Sequence, residues 1–243
     1  MPHPLIMPTS FQSTKQSIRA FLSSLPLKFL FISALFLVVV YLFGSMAHDV
    51  IIEKEEEFDK KLIHFFAPYS ADNFLEAMRV MTFFGSSKFL LPAYALLVTY
   101  FFLKRRATVG LTIAIIALTS TALSHGAKLL FQRARPDTPL IEPLKTYSFP
   151  SGHALSAFIF CSIMIYLVSR SNFHRAWKWV LFILLFFFAM TVGMSRVVLK
   201  MHYPTDVLAG FCLGLIWVLL SFFVFNRLEL RKKQRQGTQG EVI

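Results

Sequence analysis

The sequence predicts an all-α, polytopic membrane protein with six transmembrane helices. Three observations support this fold class: 56% of the 243 residues are hydrophobic, 28 residues are phenylalanine, and the apolar residues are gathered into six long stretches. This composition is too apolar for an ordinary soluble domain, and about 20 apolar residues in a helix cross a bilayer core of about 30 Å. The predicted spans cover residues 29–47, 87–103, 108–131, 154–169, 177–198 and 206–225.

A polar lead, residues 1–27, precedes the first span and is predicted to be cytoplasmic, with no fold of its own. The membrane domain is predicted to cover residues 28–226, and a basic cytoplasmic tail follows at residues 227–243. The first span ends in Ser45, Met46 and Ala47, which resemble a signal-peptide cleavage site. Because the lead is long and the apolar core exceeds that of a signal peptide, an uncleaved anchor is favoured.

Residues 48–86 interrupt the apolar pattern between the first and second spans. A run of charged side chains precedes segments with an apolar face, a pattern that indicates amphipathic helices at the membrane interface. The charged residues are Glu53, Glu55, Glu56, Glu57, Asp59, Lys60 and Lys61. Two interpretations stay open, a gate over a lipid site and a connector lying at the interface, and neither gives the segment a catalytic role.

Small residues inside the later spans indicate close helix packing. Gly110 and Gly193 lie in such spans, and Gly210 with Gly214 matches the small-x-x-x-small pattern of packed membrane helices. The two cysteines, Cys161 and Cys212, also lie inside predicted spans, so they are interpreted as core residues and not as a disulfide.

Lysine and arginine placement predicts the orientation of the chain. These residues concentrate in the lead, in the connections at residues 104–106 and 170–178, and in the tail, which the positive-inside rule places in the cytoplasm. The connections at 48–86, 132–153 and 199–205 then face outward. Because the basic flanks account for most of the net charge of +12, and the tail suits anionic headgroups, a nucleic-acid partner is not predicted.

The first candidate catalytic stretch, residues 195–206, reads S-R-V-V-L-K-M-H-Y-P-T-D between the last two spans. Arg196 can bind an anion, His202 can attack it, and Asp206 can orient the imidazole. Pro204 suits the first position of a helix whose first turn carries Asp206. A carboxylate on one ring nitrogen leaves the other nitrogen free as a nucleophile. The alternative is a polar loop that contacts lipid headgroups and whose aspartate caps the next helix.

Two further stretches lie at the same predicted end of the bundle. Lys128 and Arg135, seven residues or about two helical turns apart, can converge on one anion. Ser151, Gly152 and His153 precede another span, where a helix N-terminus offers backbone N–H groups, a hydroxyl and a group that exchanges protons. Each stretch alone also suits interfacial charges or a simple N-cap. Their combination predicts a catalytic site that binds an anion.

Three further cations near these stretches occupy no position that the site requires. They are interpreted as interfacial charges, and replacement of Arg133 is expected to have little effect on activity. These cations are Arg133, Lys145 and Lys200.

The three stretches together resemble the signature of the type-2 phosphatidic acid phosphatases, a superfamily that also contains the vanadium haloperoxidases. That signature is lysine, six residues, arginine-proline; then proline-serine-glycine-histidine; then serine-arginine, five residues, histidine, three residues, aspartate. The chain matches every specified position, and residues 128–206 cover about a third of it. The resemblance implies that His202 is the nucleophile, that Asp206 orients it, and that His153 is the general acid.

The resemblance also implies how the substrate is bound. Phosphate oxygens would be held by Lys128, Arg135, Ser151, the Gly152 backbone and Arg196, and no metal or other cofactor would be needed. The predicted reaction is hydrolysis of a membrane-lipid phosphate monoester or pyrophosphate through a phosphohistidine. The candidate substrates are phosphatidic acid, phosphatidylglycerol phosphate, undecaprenyl pyrophosphate and a lipid A phosphate. A bacterial inner membrane is favoured, with the site on the periplasmic side.

Three alternatives differ from a hydrolase in testable ways. A lipid phosphotransferase would pass the group from the same phosphohistidine to a second lipid. A non-enzymatic transporter or lipid-binding protein would use the cations only to recognise a headgroup, and this does not explain the His-Asp pair. A haloperoxidase would need bound vanadate, and those family members are soluble.

Overall fold

The structure is a computed structural model that describes residues 26–53, 57–66, 72–137, 139–142 and 146–240. Nearly all of the predicted lead, and Lys145, lie outside these residues. Internal contacts define two units, residues 1–38 and residues 39–243. The first unit contributes the opening turns of the first helix, and the second unit carries the candidate site.

The described part of the chain is all-helical, as predicted, and contains no strand. Its α-helices, numbered in chain order, are α1 Leu27–His48, α2 Glu57–Phe66, α3 Asp72–Phe83, α4 Ser87–Leu103, α5 Ala107–Phe131, α6 Gly152–Ser169, α7 Arg175–Val198 and α8 Pro204–Gly240. A short π-helical segment, Asp49–Glu53, follows α1. Each predicted span begins within two residues of a helix start, and α8 starts at Pro204 because proline suits the first helical position. This last helix continues to Gly240, well beyond the predicted end of its span.

Five of these helical stretches are long and apolar enough to cross a membrane: Phe29–Ile52, Ala107–Phe131, Gly152–Ser169, Arg175–Val198 and Pro204–Arg227. The predicted second span coincides with α4, which has only 17 residues and rises roughly 25 Å, less than a bilayer core. Together with α3, from which it bends by 42°, α4 forms a sixth candidate. The described residues therefore contain five or six candidate spans.

The predicted amphipathic segment between the first two spans contains α2 and α3. In α2, Asp59 is buried and Phe66 packs inward, while Phe58 and Phe65 are exposed. In α3, Met78 packs in a cluster with Leu199 and neighbouring apolar residues at the end of α7. Both helices therefore have a face that packs against the bundle.

Helix α6 lies at the centre of the bundle, packed against α5, α7 and α8. Its Leu155, Ile159 and Ile163 are buried in the main core cluster. Helix α8 approaches α6 most closely at Gly210, where an added Cβ would lie 2.7 Å from the backbone oxygen of Ser151. A side chain at this position would therefore displace the start of α6.

The other three glycines predicted to allow packing do so as well. A Cβ on Gly193 would collide with the ring of Phe211, and a Cβ on Gly214 would lie 3.1 Å from the Phe158 ring. At Gly110 it would lie 3.2 Å from the ring of Phe102. Both cysteines are free thiols, Cys161 buried and Cys212 half-buried.

Replacing Gly210 by alanine tests the close contact between α8 and α6. We expect Gly210→Ala to lower the free energy of unfolding by about 1–3 kcal/mol, because the new methyl group overpacks the contact with the Ser151 backbone. The matched control is Gly126→Ala, where an added Cβ has no atom within 4 Å. Thermal unfolding midpoints in one detergent compare the two variants. Equal midpoints would contradict the close approach of the helices at Ser151.

Candidate active site

The three predicted stretches meet at one end of the bundle, joined by backbone hydrogen bonds. Ser151 N donates to the carbonyl of Asp206 at 2.8 Å, which ties the start of α6 to the start of α8. Ser148 N donates to the carbonyl of Arg133 at 2.8 Å, and His202 N donates to the carbonyl of Arg196 at 3.2 Å. The chain segments that carry the predicted site residues therefore surround one small volume.

His202 and Asp206 form the predicted pair, and both are almost completely buried. His202 Nδ1 lies 3.4 Å from Asp206 Oδ2. Ser148 supports both groups, since its Oγ lies 3.2 Å from His202 Nδ1 and donates a short hydrogen bond to Asp206 Oδ2. Tyr203 N donates to the same oxygen at 2.9 Å. Ser148 was not predicted as a site residue, since its only signal in the sequence is its place three residues before Ser151.

Arg135 determines which nitrogen of His202 carries the hydrogen. Its Nη1 lies 3.2 Å from His202 Nε2 and 2.7 Å from the carbonyl of Met201. A guanidinium can only donate, so Nε2 must present its lone pair and Nδ1 must carry the hydrogen toward Asp206 and Ser148. This is the tautomer that a nucleophilic Nε2 requires.

Lys128 and Arg135 lie close together, but they are not two turns apart on one helix. Helix α5 ends at Phe131, and Gln132 adopts a left-handed conformation with φ 47°, so Arg135 lies in the non-helical segment beyond it. Lys128 Nζ donates to the carbonyls of Tyr147 and Ser148 at 2.7 and 3.2 Å. Arg135 also donates to the carbonyl of Tyr147, at 3.2 Å. Both cations therefore hold the backbone that precedes α6.

Arg196 is 1% exposed and is the strongest indication of an anion site. Its Nη1 donates to Thr82 Oγ1 at 2.6 Å. Its Nε and Nη2 are buried and have no hydrogen-bond partner among the described residues. Because buried guanidinium nitrogens without partners are costly, these two donors indicate an anionic ligand.

The first turn of α6 carries the other predicted phosphate-binding groups and His153. Ser151 Oγ accepts from the backbone N of Ala154 at 3.5 Å, so it is an N-cap whose hydroxyl hydrogen remains available to a ligand. A Cβ added to Gly152 would lie 3.2 Å from Ser124 Oγ. His153 is half-buried, and a Cβ on Gly85 would lie 3.1 Å from its Cβ. The turn between α3 and α4 therefore lies directly against His153.

Arg133 is not an interfacial charge, and that interpretation is wrong. Its side chain is 9% exposed; Nη2 lies 2.7 Å from Asp59 Oδ2, and Nη1 lies 2.7 Å from Asp206 Oδ1. The guanidinium also lies over the ring of Tyr203, 4.0 Å from its centroid. Burial alone would lower the pKa of Arg133, but the charges and hydrogen bonds of Asp206 and Asp59 raise it above its ordinary value.

The segment 48–86 also has a larger role than predicted. Asp59 on α2 reaches Arg133, and Thr82 on α3 reaches Arg196, so two of its side chains contact site residues. Neither the gate nor the connector interpretation of this segment predicted these two contacts.

Burial controls the protonation of His202. Burial, the hydrogen bond and charge of Asp206, which raise the pKa, and the charges of Arg196 and Arg135, which lower it, together bring the pKa of His202 from 6.5 to about 3, with burial the largest effect. The imidazole is therefore neutral at physiological pH.

Among the residues that the structure describes, no group of three or more His, Cys, Asp or Glu side chains is arranged to hold a metal ion.

Comparisons with known proteins place the chain among phosphatases. The model of the PAP2 superfamily matches residues 107–229. The phosphatidylglycerophosphatase B of Bacillus subtilis (strain 168) is 33% identical over 205 residues, which cover 84% of this chain and 97% of that protein. The undecaprenyl-diphosphatase of Sulfolobus acidocaldarius is 34% identical over 137 residues, 54% of this chain and 61% of that protein.

A solved structure shows the same fold. The crystal structure of a transmembrane PAP2-type phosphatidylglycerolphosphate phosphatase from Bacillus subtilis matches with a TM-score of 0.73 and 28% identity. The match covers 79% of this chain and 96% of that chain.

The lowered pKa of His202 predicts a dependence of stability on pH. An unfolded histidine titrates near pH 6.5, while folded His202 takes a proton only near pH 3. Between these values the unfolded chain binds one more proton, so stability falls as the pH decreases, by roughly 1 kcal/mol per pH unit. His202→Gln lacks this contribution. When the pH is lowered from 6.5 to 4, we expect the free energy of unfolding to fall more for wild type than for His202→Gln.

Thermal unfolding of both proteins in one detergent, across that pH range, measures the difference. If it stayed constant with pH, His202 would not be held neutral in the folded protein.

Proposed function

Because this chain belongs to the PAP2 superfamily, we propose that it hydrolyses the phosphate of a membrane lipid by way of a phosphohistidine at His202. The observation that carries this proposal is the state of His202, buried and neutral, with Nδ1 facing Asp206 and Nε2 facing Arg135. The lone pair of Nε2 points at Arg135, a cation that can hold the attacked phosphate, and a nucleophilic imidazole requires this arrangement.

The first step transfers the phosphoryl group to the enzyme. His202 Nε2 attacks phosphorus, the new P–N bond forms, and the bond between phosphorus and the lipid oxygen breaks. His153 gives its proton to the departing oxygen. Positive charge develops on the imidazole, and Asp206 stabilises it from the Nδ1 side.

The second step returns the enzyme to its starting state. His153, now neutral, takes a proton from water, and the resulting hydroxide attacks phosphorus while the P–N bond breaks. Inorganic phosphate leaves and His202 regains its lone pair. A lipid alcohol in place of water would make the protein a phosphotransferase, and that alternative differs only in the acceptor.

Five groups are proposed to hold the phosphate oxygens: Lys128, Arg135, Ser151, the Gly152 backbone and Arg196. The two unpartnered nitrogens of Arg196 support this assignment most directly. Charge spreads over the equatorial oxygens during phosphoryl transfer, so preorganised donors in a partly buried site supply most of the stabilisation.

The substrate is a lipid whose phosphate lies at the membrane surface while its tails remain in the bilayer. The relatives named above act on a phosphatidylglycerophosphate and on undecaprenyl diphosphate, and both chemistries fit a site that holds a terminal phosphate. We propose one of these two classes, a glycerophospholipid phosphate or a polyprenyl pyrophosphate, and hydrolysis without a metal.

The proposed topology has six spans, with α3 and α4 forming one bent span and both termini in the cytoplasm. The domain is proposed to cover residues 28–226 in a bacterial inner membrane, with the site on the periplasmic side. The concentration of lysine and arginine at residues 104–106 and 170–178 supports this orientation.

Purified protein in detergent tests the reaction and the roles of the two histidines. We expect it to release phosphate from one of the two lipid classes in the presence of a chelator. His202→Ala should abolish turnover and any phosphoenzyme, because Nε2 forms the covalent bond. With a nitrophenyl phosphate, whose leaving oxygen needs little protonation, His153→Ala should keep part of the first step and lose most of the second.

The phosphohistidine should then persist longer in His153→Ala than in wild type, visible as an acid-labile, base-stable label after rapid quenching. A label that survives in His202→Ala would exchange the two roles. A wild-type protein that releases phosphate without ever showing a label would exclude covalent catalysis, and one that releases none would refute the phosphatase.

Cysteine labelling tests the orientation. In a background lacking Cys161 and Cys212, a membrane-impermeant thiol reagent should label Glu142→Cys in intact cells and should spare Arg105→Cys until the cells are permeabilised. Both native residues are exposed in the structure, so access to either position is limited only by the membrane. Labelling in the opposite order would place the site on the cytoplasmic side.

A further inference from the structure

We propose that Asp59 is a positioning residue for the nucleophile: it neutralises Arg133, so that the negative charge of Asp206 remains available to His202. The proposal rests on the proposed function, in which His202 becomes phosphorylated. It assigns a part in catalysis to α2, a helix that lies outside the matched family region, residues 107–229.

Asp59 is buried and bonded entirely to residues around the nucleophile. It is 1% exposed, although it lies on an amphipathic helix whose neighbouring side chains Phe58 and Lys60 are exposed. Its Oδ1 accepts from Thr205 N at 2.9 Å, and its Oδ2 accepts from Thr205 Oγ1 and from Arg133 Nη2, both at 2.7 Å. A buried carboxylate is costly unless it is paired in this way.

Arg133 connects this carboxylate to the catalytic one. Its Nη1 donates to Asp206 Oδ1 at 2.7 Å and to Thr205 Oγ1 at 2.8 Å. The other oxygen of Asp206, Oδ2, serves His202 and Ser148. The two oxygens of Asp206 therefore have separate tasks, one toward Arg133 and one toward the nucleophile.

The charges of this chain decide what Asp206 offers to His202. With both carboxylates and the guanidinium ionised, Asp59, Arg133 and Asp206 carry a net charge of −1. Replacing Asp59 by asparagine would bring that net charge to zero, because Arg133 would then cancel Asp206 alone. The other charged groups that act on His202 are Arg135 and Arg196. Both are cations, so neither would compensate for the lost negative charge.

A purely structural role for Asp59 is the rival explanation, since α2 also has an apolar anchor. Phe66, two turns further along α2, packs in the clusters that contain Val197, Leu199 and Val207. If Asp59 only attached α2 to the bundle, loss of Phe66 should have the same effect as loss of Asp59. Phe66→Ala is therefore the matched control, because it weakens the docking of α2 and changes no charge.

The test measures the rate of phosphohistidine formation by rapid quench with a short-chain lipid phosphate, together with kcat, KM and the thermal midpoint. We expect Asp59→Asn to slow phosphohistidine formation by about tenfold or more and to leave KM within about twofold, since the charge acts on the developing imidazolium. Phe66→Ala should lower the thermal midpoint and leave the formation rate of the folded protein near that of wild type.

The double variant Asp59→Asn/Arg133→Gln separates charge from attachment. It restores the net charge of −1, so we expect its formation rate to lie closer to that of wild type than to that of Asp59→Asn. If Asp59 only attached α2, losing a second member of the chain would leave the rate equal or lower. An unchanged rate in Asp59→Asn, or a double variant no faster than that single variant, overturns the proposal.

If Asp59→Asn does not fold, the rate of phosphohistidine formation in the double variant is the deciding measurement. A rate within about threefold of wild type supports the charge role, and a rate slower by about tenfold or more overturns it. A wild-type protein that is never phosphorylated would instead refute the proposed function, so the two failures are distinguishable.

Discussion

The carboxylate of Asp206 is the group on which the site depends, because one buried charge orients His202 and closes an ion-pair chain. Oδ2 faces His202, Ser148 and the backbone N of Tyr203, and Oδ1 faces Arg133. A carboxylate this deeply buried is stable only when its hydrogen-bonding capacity is used. The same contacts that make Asp206 tolerable in the core therefore fix the tautomer and the direction of the His202 ring.

The cations of the site are also costly to the fold, because they concentrate positive charge. Arg135 and Arg196 lie close enough to His202 to lower its pKa, and together with Lys128 they give one end of an apolar bundle a high density of positive charge. The backbone carbonyls of residues 146–148 and Thr82 offset part of this cost. Arg196 keeps two donors unused, so binding of an anion should relieve a cost that the unliganded fold carries. The arrangement therefore favours an anionic ligand over any neutral one.

The sequence predicted the parts of this structure that depend on local pattern. Apolar stretches identified the helices, and α4 has the predicted bounds, since hydrophobic runs and their breaks are readable along the chain. The eight predicted site residues lie on segments that meet, and the sequence had placed all three segments at the same end of predicted spans. Four residues were not predicted to belong to the site, since their partners are distant in sequence: Arg133, Ser148, Asp59 and Thr82. Asp59 meets Arg133 across 74 positions, and nothing in a charged connector distinguishes a buried aspartate from its exposed neighbours.

These missed contacts bear on the two interpretations of the segment 48–86. A connector that only lay at the interface would expose its charges to water or headgroups, where they cost little. Instead, α2 buries Asp59 against Arg133, and α3 directs Thr82 to Arg196, so each helix contacts a different part of the site. Gly85, in the turn after α3, lies against His153 and has no space for a side chain. Arg133, Arg196 and His153 all contact this segment, so its packing is a condition for an assembled site.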